Sequence, residues 1–269
     1  VLKETGRVSE SLVASQKSVQ LAPRDAEPHN SIGVALQELG RLDEAETSLM
    51  QAIALKPDFV EAHYNLGITL KKLGRFDEAE ACYTQAIALR PDYAEAHNNL
   101  GILLQELGRL DEAEAVFRQA VALKADYAEA HSNLGNTLKE LSKLEDAEAS
   151  YKQAIVLKSD YAEAHSNLGI TLQELGRLED AEASYKQAIV LKPDYAAAHS
   201  NLGVTLNELS RFEDSVSSFQ QAFANRTGIL PVGEDVLAPA TTAVFFELTN
   251  KCNFHCDFCP SDSQKRDIG

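Results

Sequence analysis

A 34-residue pattern that recurs along most of the chain restricts its fold more than any other sequence feature. One unit runs from Ala94 to Tyr127 and contains two runs of apolar residues at helical spacing, which are separated by Gly108. Glycine, histidine and alanine return at the same places in the neighbouring units. Each unit is therefore predicted to form a pair of antiparallel helices, and successive pairs are predicted to stack into a solenoid.

The register of the units is marked by one glycine in each. These glycines are Gly33, Gly67, Gly101, Gly135, Gly169 and Gly203. They define six full units over residues 26–229. Residues 1–25 align with the second half of a unit, with Gly6 at the place of the glycine that separates the two helices. We interpret residues 1–25 as a truncated half repeat.

One protein family has this spacing of small and large residues. Leu100 and Gly101, followed by Ala113 and then by Phe117 four residues later, resemble the tetratricopeptide repeat signature. The resemblance implies an all-α fold, a right-handed tetratricopeptide repeat solenoid of antiparallel helix pairs. It also implies that the first helix of every pair lines a concave groove.

Two kinds of turn are predicted between the helices. Asp58 and Asp92 follow a proline between units, and each is expected to cap the next helix, with a glutamate three residues later. Within most units a glycine precedes the second helix, but Ser142 and Ser210 replace it in the fourth and sixth units. Because a left-handed residue suits this position, we expect the two serines to strain or loosen their turns and make those units irregular.

The charge of the chain excludes some partners. The net charge is −16, and residues 1–229 account for −13 of it, with 35 acidic and 22 basic residues. Such a surface repels phosphate groups, so direct binding of nucleic acid is not expected. The sequence has no apolar run of membrane-spanning length and no secretion signal at its start, although it begins with Val1, so an upstream segment is conceivable. We expect no membrane association and a cytoplasmic location.

A row of asparagines is the main binding candidate in the predicted groove. The row is Asn65, Asn99, Asn133, Asn167 and Asn201. An amide both donates and accepts hydrogen bonds, so such a row can pair with the main chain of an extended peptide. It resembles the asparagine ladder of O-linked N-acetylglucosamine transferases, which implies a protein or peptide partner. The alternative is that each asparagine bridges neighbouring helices or faces water. Because glutamates outnumber lysines in the groove, the guest is predicted to be neutral or basic.

Six of the seven histidines share one position in the units. They are His29, His63, His97, His131, His165 and His199. A metal ladder is conceivable, but successive units separate them by about the width of a helix pair, too far for one ion with bonds of ~2.1 Å. A packing role in place of an aromatic ring is favoured. Cys82 lies where the other units have serine or valine, and it is expected to be a small buried residue without chemistry.

The helical pattern ends before a different kind of sequence. Glycines and prolines indicate a linker over residues 230–241, and Val244–Thr249 is apolar and aromatic, as is typical of a strand. Three cysteines follow within a short loop, in the order Cys252-x3-Cys256-x2-Cys259. Thiolates at this spacing can bind three irons of a [4Fe–4S] cluster and leave the fourth iron open. The alternatives are zinc bound by the thiolates and His255, a disulfide among the cysteines, which a cytoplasmic location disfavours, and unligated thiols.

The strand and cysteine loop resemble the start of a radical S-adenosylmethionine (radical SAM) enzyme. The resemblance implies that Cys252, Cys256 and Cys259 bind the cluster, that the open iron binds S-adenosylmethionine, and that Phe258 lies near its adenine. It also implies modification of a peptide or synthesis of a cofactor. Residues 242–269 would be the incomplete start of an α/β barrel. Because so little of the sequence follows Cys259, this chain alone is not expected to be catalytically active.

Two functions are consistent with the sequence. In the first, the solenoid is the docking arm of a radical SAM enzyme that modifies a peptide or builds a cofactor. In the second, it is a scaffold without catalytic activity that binds extended peptides in its groove. Joining to a glycosyltransferase is a weaker third hypothesis, because it rests on the asparagine row alone.

Overall fold

The computed structural model describes residues 2–228, with side chains from Val8 onwards, and this part of the chain contains α-helices and no strand. The helices are α1 (Leu2–Leu21), α2 (Ala26–Glu38), α3 (Leu42–Leu55), α4 (Val60–Lys72), α5 (Phe76–Leu89), α6 (Ala94–Glu106), α7 (Leu110–Leu123), α8 (Ala128–Glu140), α9 (Leu144–Leu157), α10 (Ala162–Glu174), α11 (Leu178–Leu191), α12 (Ala196–Glu208) and α13 (Phe212–Thr227). None of these helices has the length and apolar character needed to cross a membrane. The predicted linker, strand and cysteine loop lie outside the described residues.

The predicted helix pairs are present. Helices α2 to α13 form six pairs, and the first helices begin at the regular interval that the repeat predicts. Each first helix packs against the second helix of its own pair and against the second helix of the pair before. Contacts between elements do not reach beyond the neighbouring pair in residues 2–228. The architecture is therefore a one-dimensional stack.

The turn inside each pair is a Schellman motif. In the third pair, the Gly108 N–H donates to the carbonyl of Gln105 and the Arg109 N–H donates to the carbonyl of Leu104, both at 2.9 Å. Gly108 has a φ of +72°, in the left-handed region where a side chain costs free energy. These two bonds satisfy carbonyls at the end of α6 and direct the chain into α7.

The two turns that lack glycine have the same geometry. Ser142 and Ser210 have φ values of +58° and +61°, close to those of the turn glycines. The Ser142 N–H donates to Lys139 at 2.9 Å, and the Lys143 N–H donates to Leu138 at 2.8 Å. The prediction of loosened turns and irregular fourth and sixth units is therefore wrong. The packed helix pair holds each serine in the left-handed conformation, so strain is stored at one residue and does not spread.

The predicted aspartate caps are also wrong for the helices after the prolines. Helix α4 is capped by Phe59 and α6 by Tyr93, and neither side chain makes a capping hydrogen bond. The helices thus begin after the aromatic residue rather than after Asp58 and Asp92. An aspartate cap is present at α2, where the Asp25 carboxylate accepts from the Glu27 N–H at 3.1 Å. The aromatic residue occupies the cap position because its ring packs beside the preceding helix end, as described below.

A close contact between a glycine and a large side chain joins the two helices of each pair. Tyr83, Phe117, Tyr151 and Tyr185 are at most 1% exposed, and each ring lies against the register glycine in the first helix of its own pair. A Cβ atom placed on those glycines would be 2.6–2.7 Å from a ring carbon. Each buried ring contributes about 1.5–3 kcal/mol through the apolar surface it removes from water. Glycine marks the register because no larger residue fits beside the ring.

Helix α1 differs from the sequence prediction. It runs without interruption from Leu2 to Leu21, so the chain does not turn at Gly6. Within residues 2–228 no separate helix precedes Gly6 that could pack against α1 and stabilise such a turn. Leu12 packs against Ala35 and Leu36 of α2. Helix α1 therefore occupies the place that the second helix of a preceding pair would take.

Ion pairs join neighbouring units through their second helices. Arg109, which directly precedes α7, contacts Glu80 of α5 at 2.6 Å and Glu112 of its own helix at 2.7 Å. The same link between units is made by Arg75 with Glu46, Lys143 with Glu114, Arg177 with Glu148 and Arg211 with Glu182. The backbones of successive second helices are not in contact within residues 2–228, so these long side chains bridge the space between them.

Candidate functional site

The first helices line the inner surface of the stack. Helices α2, α4, α6, α8, α10 and α12 contact one another in succession, whereas no such contacts occur between successive second helices in the described part of the chain. A stack whose first helices are closer together curves towards them. Their free faces therefore form the groove, in agreement with the implication of the repeat signature.

The asparagine row lies on this inner surface, and its members are all half-buried. The Asn133 Nδ2 donates to Asn98 Oδ1 at 3.0 Å, and the Asn65 Nδ2 donates to Asn30 Oδ1 at 2.9 Å. Asn99 donates to the Tyr64 hydroxyl, and Asn167 donates to Asn136 Oδ1. Four of the five amides therefore bond to the preceding first helix, which fixes the orientation of the amide. A bond of this kind uses one of the two N–H groups of an asparagine.

Tyr64 is the one aromatic residue at its position in the six first helices; the others have asparagine or serine. Its ring is half-buried and lies 4.9 Å from the Tyr93 ring, centroid to centroid. Its hydroxyl accepts from Asn99 Nδ2 at 2.9 Å. Burial raises the pKa of Tyr64 to about 12, with smaller contributions from Tyr127 and Glu95, so the hydroxyl remains a hydrogen-bond donor at neutral pH.

One edge of the groove is built from a repeated group of three residues: a glutamate at the start of the first helix, a cation after the second helix and an aromatic cap. In the third unit Glu95 binds Lys124 at 2.8 Å, and the Lys124 Nζ lies 4.8 Å from the centre of the Tyr127 ring. The other groups are Glu61, Arg90 and Tyr93; Glu129, Lys158 and Tyr161; and Glu163, Lys192 and Tyr195. We refer to these as the edge triads.

The edge triads change the interpretation of the groove charge. The sequence predicted the glutamates as groove charges, but it did not indicate which cations pair with them. Each of these cations lies at the far end of the same unit. Pairing with Lys124 lowers the pKa of the Glu95 carboxyl. In four units a glutamate is followed 29 residues later by a lysine or arginine, and this spacing is the sequence signal that would have predicted the ion pairs.

The opposite edge of the groove keeps more of its negative charge. Glu140 accepts from Gln105 at 2.6 Å and Glu208 accepts from Gln173 at 3.0 Å, and both donors are neutral amides. Glu106 is paired with a cation, Lys71, at 2.7 Å. Among the described residues, Glu140 in the fourth unit and Glu208 in the sixth thus keep a carboxylate without an opposite charge.

The histidine row has a structural role in the described residues. The Nε2 atom of His97 lies 3.0 Å from the Pro91 carbonyl, and that of His63 lies 2.9 Å from the Pro57 carbonyl. His131 and His199 make the same contact with the residue six positions earlier. The histidines thus tie each first helix to the turn before it. No group of three metal-ligating side chains occurs in residues 8–228.

Cys82 lies in a region without other cysteines among the described residues and is half-buried. Burial raises the pKa of its thiol to about 11. A thiol with this pKa is almost entirely protonated at neutral pH and is a poor nucleophile. The predicted cluster ligands Cys252, Cys256 and Cys259, together with Phe258, lie outside the described residues, so their roles stay predictions.

Family models match most of the helical array. A model described as tetratricopeptide repeat matches residues 58–126, and a second, described as TPR repeat, matches residues 38–74, 135–176 and 172–210. Together they cover more than half of the chain. The chain belongs to the tetratricopeptide repeat family. No curated protein matches it in a comparison of sequences.

Several solved structures share the fold. PilF of Pseudomonas aeruginosa is 18% identical with a TM-score of 0.68, and the match covers 82% of this chain and 97% of PilF. YrrB, described as a TPR protein with an unusual peptide-binding site, is 23% identical with a TM-score of 0.58, covering 69% and 95%. MamA of Desulfovibrio magneticus is 22% identical with a TM-score of 0.58, covering 63% and 96%. At these identities the similarity shows the fold alone.

Proposed function

We propose that the tetratricopeptide repeats form a docking scaffold that holds an extended segment of a partner protein in the groove. The observation that supports it is the asparagine row, whose amides are oriented by hydrogen bonds between first helices. A side chain that is already fixed loses little conformational freedom when it binds a guest. The peptide-binding site named in the description of YrrB is consistent with this use of the fold.

The spacing of the row suits an extended main chain. Packed helices are separated by about 8–10 Å, whereas an extended chain rises about 3.3 Å per residue. One asparagine is therefore available for roughly every third residue of the guest. Five asparagines in succession can hold about 12 residues. Because recognition uses main-chain groups, binding tolerates different guest sequences.

Charge sets the preferred guest. Within the described residues Glu140 and Glu208 are without an opposite charge, and the edge triads are close to neutral. A neutral or basic segment avoids repulsion from these carboxylates, whereas an acidic segment does not. The cytoplasm is the compartment we propose for this interaction, because it keeps cysteines such as Cys82 reduced.

The groove is tested by removing three amides. Decapeptides displayed on phage are selected on the full chain, and the affinity of one selected peptide is measured by fluorescence polarisation. Replacing Asn99, Asn133 and Asn167 together by alanine is expected to weaken binding at least about tenfold, since each lost hydrogen bond costs about 0.5–1.5 kcal/mol. Selection of no peptide, or unchanged affinity in the variant, would exclude this site.

A matched control is available on the second helices. Gln119, Gln153 and Gln187 are exposed amides in the same three units, on the outer side of the stack. Their replacement by alanine removes the same number of amides without touching the groove, and the affinity is expected to stay the same. Thermal unfolding of both triple variants shows whether either change acts through stability.

A second proposal is that the scaffold docks substrates for a radical SAM enzyme. The spacing of Cys252, Cys256 and Cys259 supports it. Anaerobic reconstitution of the full chain with iron and sulfide is expected to give a brown protein, and Cys256→Ala is expected to lose the colour. Cys82→Ala, which changes a half-buried thiol of the array, is the control and keeps it. Binding of zinc instead of iron, or of no metal, would contradict this proposal.

A further inference from the structure

The chain repeatedly places a cation over an aromatic ring at the edge of the groove. Five aromatic residues that precede first helices each have a lysine or arginine 4.6–5.0 Å from the ring centre. In the four edge triads the same cation also binds a glutamate. A cation held by a ring and a carboxylate together gains both attractions at once.

Tyr64 has the ring and the carboxylate of such a group, but no cation of residues 8–228 lies over it. Its ring lies in the groove between α4 and α6, and it is held in place by the Tyr93 ring and by Asn99. Glu95, at the start of α6, lies one helical turn before Asn99 on the same face of the helix, and the Asn99 amide is bonded to the Tyr64 hydroxyl. Tyr64 and Glu95, together with the Tyr93 ring that supports Tyr64, form one cluster.

Glu95 retains the capacity to bind a second cation. Its Oε1 atom contacts Lys124 at 2.8 Å, and 38% of its side chain is exposed. Other glutamates of the chain hold two cations at once: Glu148 contacts both Lys152 at 2.6 Å and Arg177 at 2.8 Å. The pair with Lys124 therefore does not exclude a cation from a bound guest.

We propose that the Tyr64 ring and the Glu95 carboxylate of this cluster bind an arginine side chain of the guest polypeptide. This rests on the proposed function, since the arginine arrives as part of an extended segment in the groove. Arginine is favoured over lysine because its planar guanidinium stacks on a ring and presents parallel N–H groups to a carboxylate.

The position of the cluster gives the guest a register. Tyr64 is the single aromatic residue at its position, because the other first helices carry Asn30, Asn98, Ser132, Ser166 and Ser200 there. The asparagine row repeats in every unit from the second to the sixth and cannot distinguish one alignment of the guest from the next. A single arginine site between α4 and α6 removes this ambiguity, because the arginine of the guest can reach it in one alignment only.

The first test compares peptides selected on three forms of the full chain. Arginine is expected to be enriched in phage-displayed decapeptides selected on the natural chain and on Tyr64→Phe, which keeps the ring. On Tyr64→Ser, which copies Ser132, the enrichment of arginine is expected to fall to that of lysine, which the groove charge favours equally. Tyr64→Asn, which copies Asn98, is the second variant if Tyr64→Ser does not fold. Peptides selected without enrichment of arginine, or with proline or aromatic residues enriched instead, would overturn the inference and leave the groove proposal standing. Selection of no peptide would overturn both.

The second test measures the charge itself. A selected peptide is compared with a version in which citrulline, which has the same shape but no charge, replaces the arginine. The natural chain is expected to bind the citrulline peptide about tenfold more weakly, in line with a partly desolvated cation–π contact. The ratio of affinities between the arginine and citrulline peptides is expected to fall to about twofold or less in Tyr64→Ser. It is also expected to decrease in Glu95→Gln. Glu129→Gln breaks the equivalent pair with Lys158 one unit away and is expected to change nothing; equal losses in both glutamine variants would overturn the role of Glu95.

Discussion

Gly101 of α6 lies directly against the ring of Phe117 in α7. A Cβ atom on Gly101 would be 2.7 Å from Cε1 of Phe117, nearer than real Cβ atoms approach other heavy atoms. Phe117 is fully buried, so its ring has no free space into which it can move. This contact sets the distance between the two helices, and it recurs in every unit of the array.

We therefore expect Gly101→Ala to destabilise the array by about 1–3 kcal/mol, because the added methyl group overpacks the helix interface. Chemical denaturation monitored by circular dichroism measures the loss. Combined with Phe117→Ala, the same substitution is expected to cost less than it does alone, since the methyl group then enters the space left by the ring.

Gly108→Ala is the control for that experiment. Gly108 has positive φ, and nothing lies within 4 Å of a Cβ placed on it, so its substitution strains the backbone without a clash. Its cost is expected to be the same with and without Phe117→Ala. Additive costs for Gly101→Ala and Phe117→Ala would contradict the clash as the cause.

Replacing the two left-handed serines by glycine is expected to stabilise the array. Ser142→Gly and Ser210→Gly remove the cost of a left-handed side chain, and the greater freedom of glycine in the unfolded chain offsets part of the gain. The expected net gain is up to about 1 kcal/mol for each. Gly176→Ser is the reverse change and is expected to destabilise. Unchanged melting of all three variants would show that the helix pair compensates fully.

The ion pairs of three glutamates in the second helices, both within a helix and between helices, predict a loss of stability in acid. Pairing with lysine and arginine lowers the pKa of Glu114, Glu148 and Glu182 below the ordinary value of 4.5. Their contribution is complete above pH 4.5 and is lost as the pH falls through the lower value of the folded state. The melting temperature is expected to fall below about pH 4.5, and less steeply in a variant with all three glutamates replaced by glutamine.

His165 contributes separately to this pH dependence. Burial lowers the pKa of its imidazole, so its neutral form is favoured in the folded chain. A stabilising contribution is present above the ordinary pKa of 6.5 and decreases as the pH falls below it. His165→Gln is expected to flatten the pH dependence just below that value while leaving the fall in more acid solution unchanged. A steep loss that persists in both the histidine and the glutamate variants would point to other groups.

The thiol of Cys82 is expected to react slowly in the folded protein. With its pKa raised to about 11, it is protonated at neutral pH, and burial hinders a reagent as well. In a variant with the other three cysteines replaced by serine, labelling by a thiol reagent is expected to accelerate strongly on addition of denaturant. A native rate equal to that of a small free thiol would contradict this prediction.

The sequence was sufficient for the parts of the fold that follow from periodicity. The repeat predicted six pairs because the glycine and large residues, such as Gly135 and Tyr151, are needed at every interface. The loosening of the serine turns and the positions of the helix starts were predicted wrongly. In both cases packing overrode a local preference: Ser142 is held in a left-handed conformation, and Tyr93 takes the cap position because Arg90 packs on its ring.

The candidate site was predicted less completely for a related reason. Periodicity placed Asn133 in the groove but did not show that its amide is bonded to Asn98 in the neighbouring unit. Likewise, the sequence predicted the glutamates of the edge triads but not the lysine or arginine that pairs with each of them. Contacts between such distant positions of the sequence depend on how the helices and units stack, and a pattern within one unit does not contain that information.

Because contacts in the described residues end at the neighbouring pair, the array has no interior that depends on its total length. Removal of one whole unit, for example residues 128–161, brings together two surfaces that already match. The groove would then shorten by one asparagine while the remaining interfaces persist. Gain or loss of whole units can thus change the length of the groove while the existing interfaces between units are kept.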